Sequence, residues 1–153
     1  MFSNKYIMSE LENFLTYDEE QRIIKAIHEA EKETSGEIRV HLEKDNSSQD
    51  CMEHAKEIFH LIHMDETKEK NGVLFYVAVH NHQFAVIGDE GIDKKVPDDF
   101  WNSVKDTVLR EFSKGNRADG LILGVLEAGQ KLKQFFPYKK TDTNELSNEI
   151  SKS

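Results

Sequence analysis

The uninterrupted apolar run at residues 72–79 constrains the fold more than any other feature of this chain. A strand without a charged side chain is typical of burial on both faces of a sheet. A short polar turn separates it from a second apolar run, residues 83–88, which is expected to return antiparallel to the first as a hairpin. Helices must cover both faces of the first strand, which predicts a layered α/β fold.

The residues before this strand predict a helix, a strand and a second helix. Thr16 and Glu19 have the spacing of a capping box, which marks the start of a helix. Residues 37–43 alternate strictly between polar and apolar side chains, which predicts a half-exposed strand whose polar residues, His41 among them, face solvent. Apolar residues with helical spacing follow from Cys51 onward and predict the second helix.

The residues after the hairpin predict a loop and two more helices. The loop covers residues 91–95, Pro97 lies in the first turn of the third helix, and Gly115 ends that helix. A fourth helix begins near Arg117 and continues to Pro137. The element order is α-β-α-β-β-α-α, and the right-handed crossover rule makes the first two strands parallel. We therefore predict a three-layer α/β/α sandwich with a small mixed sheet.

The length of 153 residues corresponds to one domain of ordinary size. We expect residues 1–13 to form a leader, residues 14–137 to form the domain, and the polar residues 138–153 to form a disordered tail. Cys51 is the single cysteine, so it cannot form an internal disulfide. Neither a signal peptide nor an apolar run of about 20 residues is recognisable. These features predict a soluble, cytoplasmic protein without a membrane partner.

The charge of the chain limits its partners. The formal net charge is −9, so a nucleic-acid backbone or an anionic lipid surface would be repelled. A divalent cation or a basic protein partner fits this charge better. The alternative is that the acidic surface only keeps the protein soluble.

One rim of the predicted sheet collects polar side chains from three strands. Glu37 and Asn71 begin the two parallel strands, and Asp89 and Glu90 follow the antiparallel one, so all four are expected at the same rim. Carboxylate and amide oxygens are the hard ligands that Ca²⁺ and Mg²⁺ prefer. The alternative is that these carboxylates are merely solvated and that the neighbouring glycines serve only the turn.

Four segments of the chain, taken in order, resemble the TPM domain family: residues 34–40, 71–78, 88–92 and 112–121. The resemblance extends from about residue 14 to residue 137. The family is named after a thylakoid lumen protein, a photosystem II repair protein and a modulator of a nematode receptor. The chain is similar to its small soluble bacterial members, because it shows neither the signal peptide nor the C-terminal membrane helix of many others.

The resemblance implies an α/β/α sandwich that binds Ca²⁺ or Mg²⁺ in loops at one end of its sheet. It adds Asp119, which matches an acidic position of the family, although Asn116 stands where the family often has an aspartate. Plant members are described as acid phosphatases, whereas the receptor modulator is an interaction protein. The order of preference for metal ligands is then Asp89, Asp119 and Glu90, with Glu37 and Asn71 completing the set.

Two functions follow from these observations. The first is a soluble TPM-domain protein that binds a divalent cation at the rim and has a regulatory or protein-interaction role without catalysis. The alternative is a metal-dependent acid phosphatase that acts on phosphomonoesters at the same rim. A phosphatase would need a nearby cation to hold the phosphate, and the candidates are Lys94, Lys95 and Arg117.

Overall fold

The computed structural model describes residues 10–46, 49–140 and 144–153. Residues 10–13 are helical. Residues 1–9 of the predicted leader lie outside the described part of the chain. The elements follow in the order α1 (Tyr17–Glu31), β1 (Glu37–Glu43), α2 (Cys51–Leu61), β2 (Gly72–Ala78), β3 (Gln83–Gly88), α3 (Glu90–Asp93), α4 (Asn102–Ser113), α5 (Arg117–Leu132) and β4 (Ser151–Lys152).

The strands form one mixed sheet in the order β3-β2-β1-β4. β1 and β2 are parallel, with Glu37 opposite Gly72, and β2 and β3 are antiparallel, with Val73 opposite Gly88. Both pairings confirm the predicted strand directions. β4 adds a second parallel partner to β1, with His41 opposite Ser151.

The alternation of β2 creates two cores, one on each face of the sheet. Val73, Phe75 and Val77 belong to the larger core, which includes apolar residues of α1, α4 and α5. Leu74 and Tyr76 belong to the smaller core, which includes residues of α2. Every residue of β2 is buried, as the apolar run predicted. Burial of each large apolar side chain stabilises the fold by roughly 1.5–3 kcal/mol. Because β2 places such side chains on both faces of the sheet, helices cover both faces and three layers result.

The capping box at the start of α1 is also confirmed. The Glu19 N–H donates to Oγ1 of Thr16 at 3.1 Å, and the Thr16 N–H donates to Oε1 of Glu19 at 2.8 Å. α1 then packs closely on α5, because a Cβ built at Gly129 would lie only 2.8 Å from the Cβ of Ala30. The missing side chain at Gly129 therefore sets the distance between these two helices.

β1 is not the half-exposed strand that its alternation predicted. Glu37, His41 and Glu43 are buried, and Arg39 is half-buried. The reason is that residues 144–153 are ordered on this side of the sheet, whereas the sequence predicts a disordered tail. They add β4 to the edge of β1, and Leu146 joins the core beneath α2.

The helices after the hairpin differ from the prediction in their boundaries. A single helical turn, α3, follows β3 where a loop was expected. Asp89 is its N-cap, because its Oδ1 accepts the Glu90 N–H at 2.7 Å. α4 begins at Asn102 rather than near Pro97, because residues 97–101 form successive turns with hydrogen bonds such as Phe100 N–H to Pro97 O at 3.1 Å. α5 ends at Leu132, five residues before the predicted end.

Candidate functional site

Four of the five predicted ligands lie at one end of the sheet, where β1 and β2 begin and β3 ends. We call this end the acidic rim and define it by Glu37, Asn71, Asp89 and Glu90. The Asp89 N–H donates to the carbonyl of Gly72 at 2.9 Å, and the Glu37 N–H donates to the carbonyl of Asn71 at 3.2 Å. Main-chain hydrogen bonds therefore hold three strands together at the rim.

The side chains of Glu37 and Asn71 make contacts within the fold. Oε1 of Glu37 accepts the main-chain N–H of Leu146 at 3.0 Å and that of Glu145 as well, so this carboxylate anchors the C-terminal segment. Nδ2 of Asn71 donates to the carbonyl of Ser35 at 3.2 Å. Oδ1 of Asn71 is buried and has no hydrogen-bond donor among the described residues.

Asp89 has one oxygen engaged and one oxygen without a donor. Its Oδ1 accepts the Glu90 N–H and caps α3, whereas its Oδ2 is buried and receives no hydrogen bond within the described ranges. An unpaired buried acceptor costs roughly 1–3 kcal/mol, and more when it is charged. A cation bound to this atom would therefore offset part of that cost and stabilise the folded protein.

Asp119 lies at the other end of the molecule. It occupies the first turn of α5, and its Oδ1 accepts a hydrogen bond from Nη2 of Arg22 on α1 at 2.8 Å. Its neighbour Arg117 lies over the ring of Phe14, and Phe14 contacts Phe112, which packs against Phe84 at the hairpin end of β3. The structure thus does not bring Asp119 to the acidic rim.

The predicted ligands do not converge into a closed cage. Within residues 10–46, 49–140 and 144–153, no three His, Cys, Asp or Glu side chains are grouped so that they could hold a metal ion. Glu37 is directed at the C-terminal segment, Asn71 at Ser35, and Asp89 at a separate pocket. A cation at the rim would therefore take few ligands from the protein.

Asp89 and Glu90 line a pocket of about 450 Å³ beside the outer strand β3. We call it the edge pocket. β3 contributes Val86, Ile87 and Gly88 to its wall, and α2 contributes Phe59. The remaining lining residues are Met52, Lys56, His60, Asp93 and Trp101. The lining combines apolar and charged side chains, which is the usual composition of a ligand site.

The electrostatics of the edge pocket are predominantly acidic. Partial burial and the neighbouring charge of Asp89 raise the pKa of Asp93, whereas Lys56 acts in the opposite direction. His60 contacts Asp65, with Nδ1 and Oδ2 3.3 Å apart. In addition, Nε1 of Trp101 is buried and has no acceptor among the described residues. Two of the lining residues, Asp89 and Trp101, thus each carry a buried polar atom without a partner among the described residues.

The contribution of α2 to this pocket was not predicted from the sequence. Met52, Lys56 and His60 are spaced by four residues and so share one face of the helix. That spacing is visible in the sequence, but the apolar stripe of the same helix, which includes Phe59, indicated only the face that is buried in the core. For a phosphate, Lys56 is the lysine that lines the same pocket as Asp89, whereas Arg117 lies with Asp119 at the other end.

A second polar cluster is buried beneath the C-terminal segment. The hydroxyl of Tyr76 donates to Oε1 of Glu43 at 2.6 Å, and Nε2 of His54 lies 2.5 Å from the same oxygen. His41 contacts the hydroxyls of Ser151 at 2.7 Å and Ser153 at 2.8 Å. Tyr76 and His41 are fully buried, so this cluster fastens β4 to the sheet and is not open to a ligand.

Solved structures include two that are similar to this chain. The NMR structure of the BA42 protein from the psychrophilic bacterium Bizionia argentinensis is 48% identical, with a TM-score of 0.87, and the match covers 95% of this chain and 99% of that one. The solution structure of an N-terminal domain from P. gingivalis is 20% identical, with a TM-score of 0.65 and coverage of 81% and 80%, and supports the fold alone. No curated protein matches the chain.

The described helices contain none that is long and apolar enough to cross a bilayer. The sequence profile of the TPM domain matches residues 8–131 and thus most of the chain. This match agrees with the three-layer sandwich and with the likeness to BA42. The chain belongs to the TPM domain family.

Proposed function

We propose that the protein binds Ca²⁺ or Mg²⁺ at Asp89 in the edge pocket and acts as a non-catalytic regulatory or interaction domain. The observation that carries this proposal is the buried Oδ2 of Asp89, which has no hydrogen-bond donor in the described part of the chain. Asp93 adds a second carboxyl group, whose raised pKa reflects burial and the charge of Asp89. A bound cation would offset the cost of holding the carboxyl groups of Asp89 and Asp93 in their charged form close together.

The ion would be held by few protein oxygens. Glu90 is exposed beside Asp89 and Asp93 lines the same pocket, so both can supply charge, while water completes the coordination sphere. Oδ1 of Asn71 is the other oxygen at the rim without a donor among the described residues. Glu37 and Asp119 already have partners. We therefore expect weak binding, with a Kd of roughly 10⁻⁴–10⁻³ M.

Calcium and magnesium titrations followed by amide NMR test this site. For the wild type we expect shifts in residues 71–72 and 89–93, together with a rise in melting temperature that follows mass action. Asp89→Asn removes the ligand charge but keeps a residue that caps α3 well, so the variant should fold and lose both effects.

Asp119→Asn is the matched control, because it removes one carboxylate at the opposite end of the molecule. It should retain the response of the wild type. Equal responses from Asp89→Asn and the wild type would rule out Asp89 as the ligand. An unchanged spectrum in millimolar calcium and magnesium would rule out the site altogether.

Phosphatase activity is the second candidate, and the observation in its favour is that Lys56 and Asp89 line one pocket. A metal ion held at Asp89 would activate a water molecule, and Lys56 would hold a phosphate oxygen. We expect any Mg²⁺-dependent turnover of p-nitrophenyl phosphate to fall at least tenfold in both Asp89→Asn and Lys56→Gln. Turnover that survives both substitutions would show that this pocket is not the catalytic site.

A further inference from the structure

Among the described residues, the outer strand β3 has one unpaired edge. The strand order is β3-β2-β1-β4, and within this part of the chain β3 pairs with β2 on one side only. The outer edge of a sheet exposes main-chain N–H and C=O groups that can pair with another extended chain. β3 therefore has a built-in capacity for strand addition, provided that its edge is accessible.

The hydrogen-bond pattern identifies which groups face outward. The Asp89 N–H donates to the carbonyl of Gly72, so these residues form a hydrogen-bonded pair in the antiparallel register. Such pairs alternate along the ladder, which directs the N–H and C=O groups of Phe84, Val86 and Gly88 away from β2. Within the described residues, no main-chain group of another element bonds to these three.

Val86 and Gly88 are also two of the residues that line the edge pocket. α2 contacts β3 on one face of the sheet, where Ala85 lies in the smaller core, and α4 contacts it on the other, where Val86 lies in the larger core. The edge pocket lies beside the strand and is lined by Val86, Gly88 and Trp101. A peptide bound in the pocket would thus lie next to two of the residues whose main-chain groups are directed away from β2.

The residues that line the pocket define the chemistry of the peptide. Trp101 and Asp89 both line it, and among the described residues Nε1 of Trp101 has no acceptor and Oδ2 of Asp89 has no donor. Asp89, Glu90 and Asp93 outnumber the basic Lys56 on the pocket wall, and His60 already contacts an aspartate. A basic side chain is therefore the complementary donor.

The same charges argue against a second copy of this protein as the occupant. An edge-to-edge dimer would bring two sets of carboxylates together in a chain whose net charge is −9. The acidic pocket instead suits a segment of opposite charge.

We propose that the free edge of β3 binds an extended, basic peptide segment of a partner protein by strand addition. The segment pairs with the main-chain groups of Val86 and Gly88 and places a Lys or Arg side chain against Asp89. Main-chain pairing supplies affinity in this mode of recognition, and the pocket supplies selectivity. The inference does not require a bound metal ion.

A short capped peptide of alternating valine and threonine with one central lysine is the probe, titrated in EDTA. Trp101 is the only tryptophan of the chain, so its fluorescence reports directly on the pocket. We expect a saturable fluorescence change, and we expect the amides of Val86 and Gly88 to shift and to exchange more slowly with solvent. Asp89→Asn should weaken binding about tenfold, whereas Asp119→Asn should not.

Two modified peptides make the test specific without any change to the protein. N-methylation of alternate peptide amides removes the pairing donors and should abolish binding, and replacement of the lysine by glutamate should weaken it at least tenfold. Equal binding of either modified peptide would overturn the proposal. Self-association through β3 in sedimentation, with no peptide binding, would also overturn it. Because EDTA is present throughout, these outcomes are independent of the cation site.

Discussion

Gly91 shows at the scale of one residue how the rim is held. Its N–H donates to the carbonyl of Lys70 at 2.9 Å, and a Cβ at this position would lie 2.5 Å from the same oxygen and closer still to the carbonyl of Glu69. Both neighbours are main-chain atoms and cannot rotate away. The absence of a side chain at Gly91 therefore lets α3, and with it Asp89, lie against the start of β2.

Gly91→Ala is expected to destabilise the protein by about 1–3 kcal/mol, because the added methyl group forces the main chain apart. Urea unfolding measures this change. Gly115→Asn is the matched control, since Gly115 has a φ of +82° and no atom within 4 Å of a built Cβ. Asparagine tolerates that conformation, so the control should cost less than 1 kcal/mol. A smaller loss for Gly91→Ala than for Gly115→Asn would contradict the account.

The sequence predicted part of the candidate site at the residue scale. Asp89 and Glu90 were expected at the rim, because the hairpin register alone fixes where β3 ends. Lys56 and Trp101 were not expected to join them. Their positions depend on how α2 and α4 cross the sheet, and no local pattern in a single sequence encodes that crossing.

At the scale of elements, the apolar run, the short hairpin turn and the order of helices and strands were sufficient to predict the strand directions and the layers. β2 is buried on both faces and α1 begins where its capping box does, because each of these features depends on neighbouring residues in the chain. β1 was different. Its polar alternation indicated a solvent-facing side, yet that side is covered by residues 144–153.

The covering of β1 was not predictable because its contacts are long-range. The segment is polar, so composition predicted disorder, and its attachment uses specific hydrogen bonds in addition to the burial of Leu146. Oε1 of Glu37 accepts the N–H of Leu146, Nε of Arg39 donates to the carbonyl of Glu149, and His41 contacts Ser151. Each partner is polar in isolation and is satisfied only when both segments meet.

At the scale of the whole molecule, two buried groups shape the dependence of stability on pH. Burial raises the pKa of Glu31 to about 8, with the nearby Glu37 acting in the same direction and the Ile38 N–H and Asn148 opposing it. Burial also lowers the pKa of His41 to about 4, despite the charge of Glu43. The native state thus keeps a proton on Glu31 and excludes one from His41.

The two groups act on stability in opposite directions. Between about pH 4.5 and 8 the unfolded chain loses the Glu31 proton while the native state keeps it, so stability falls as the pH rises. Between about pH 4 and 6.5 the unfolded chain binds a proton at His41 that the native state excludes, so stability rises with pH. The two contributions offset each other between about pH 4.5 and 6.5.

We expect the free energy of unfolding to fall by about 1–2 kcal/mol between pH 6.5 and pH 8 in the wild type. Glu31→Gln mimics the protonated carboxyl group and can still accept the Ile38 N–H, so it should remove this fall. It should also uncover the loss of stability that His41 causes as the pH falls from about 6.5 to 4, because Glu31 no longer offsets it. Urea unfolding at several pH values measures the change in the free energy of unfolding both in acid and between pH 6.5 and 8. A fall of the same size in Glu31→Gln would assign it to another group.

The pairing of β1 with β4 has a consequence for how the protein is made. Its contacts join residues 110 positions apart, such as His41 and Ser151. During synthesis β1 can pair with β2 long before β4 has emerged, so one edge of a central strand stays open in the nascent chain. Long-range pairings of this kind form late and slowly. The interval before β4 docks is when this domain is most exposed to mispairing, and when a chaperone would have most to protect.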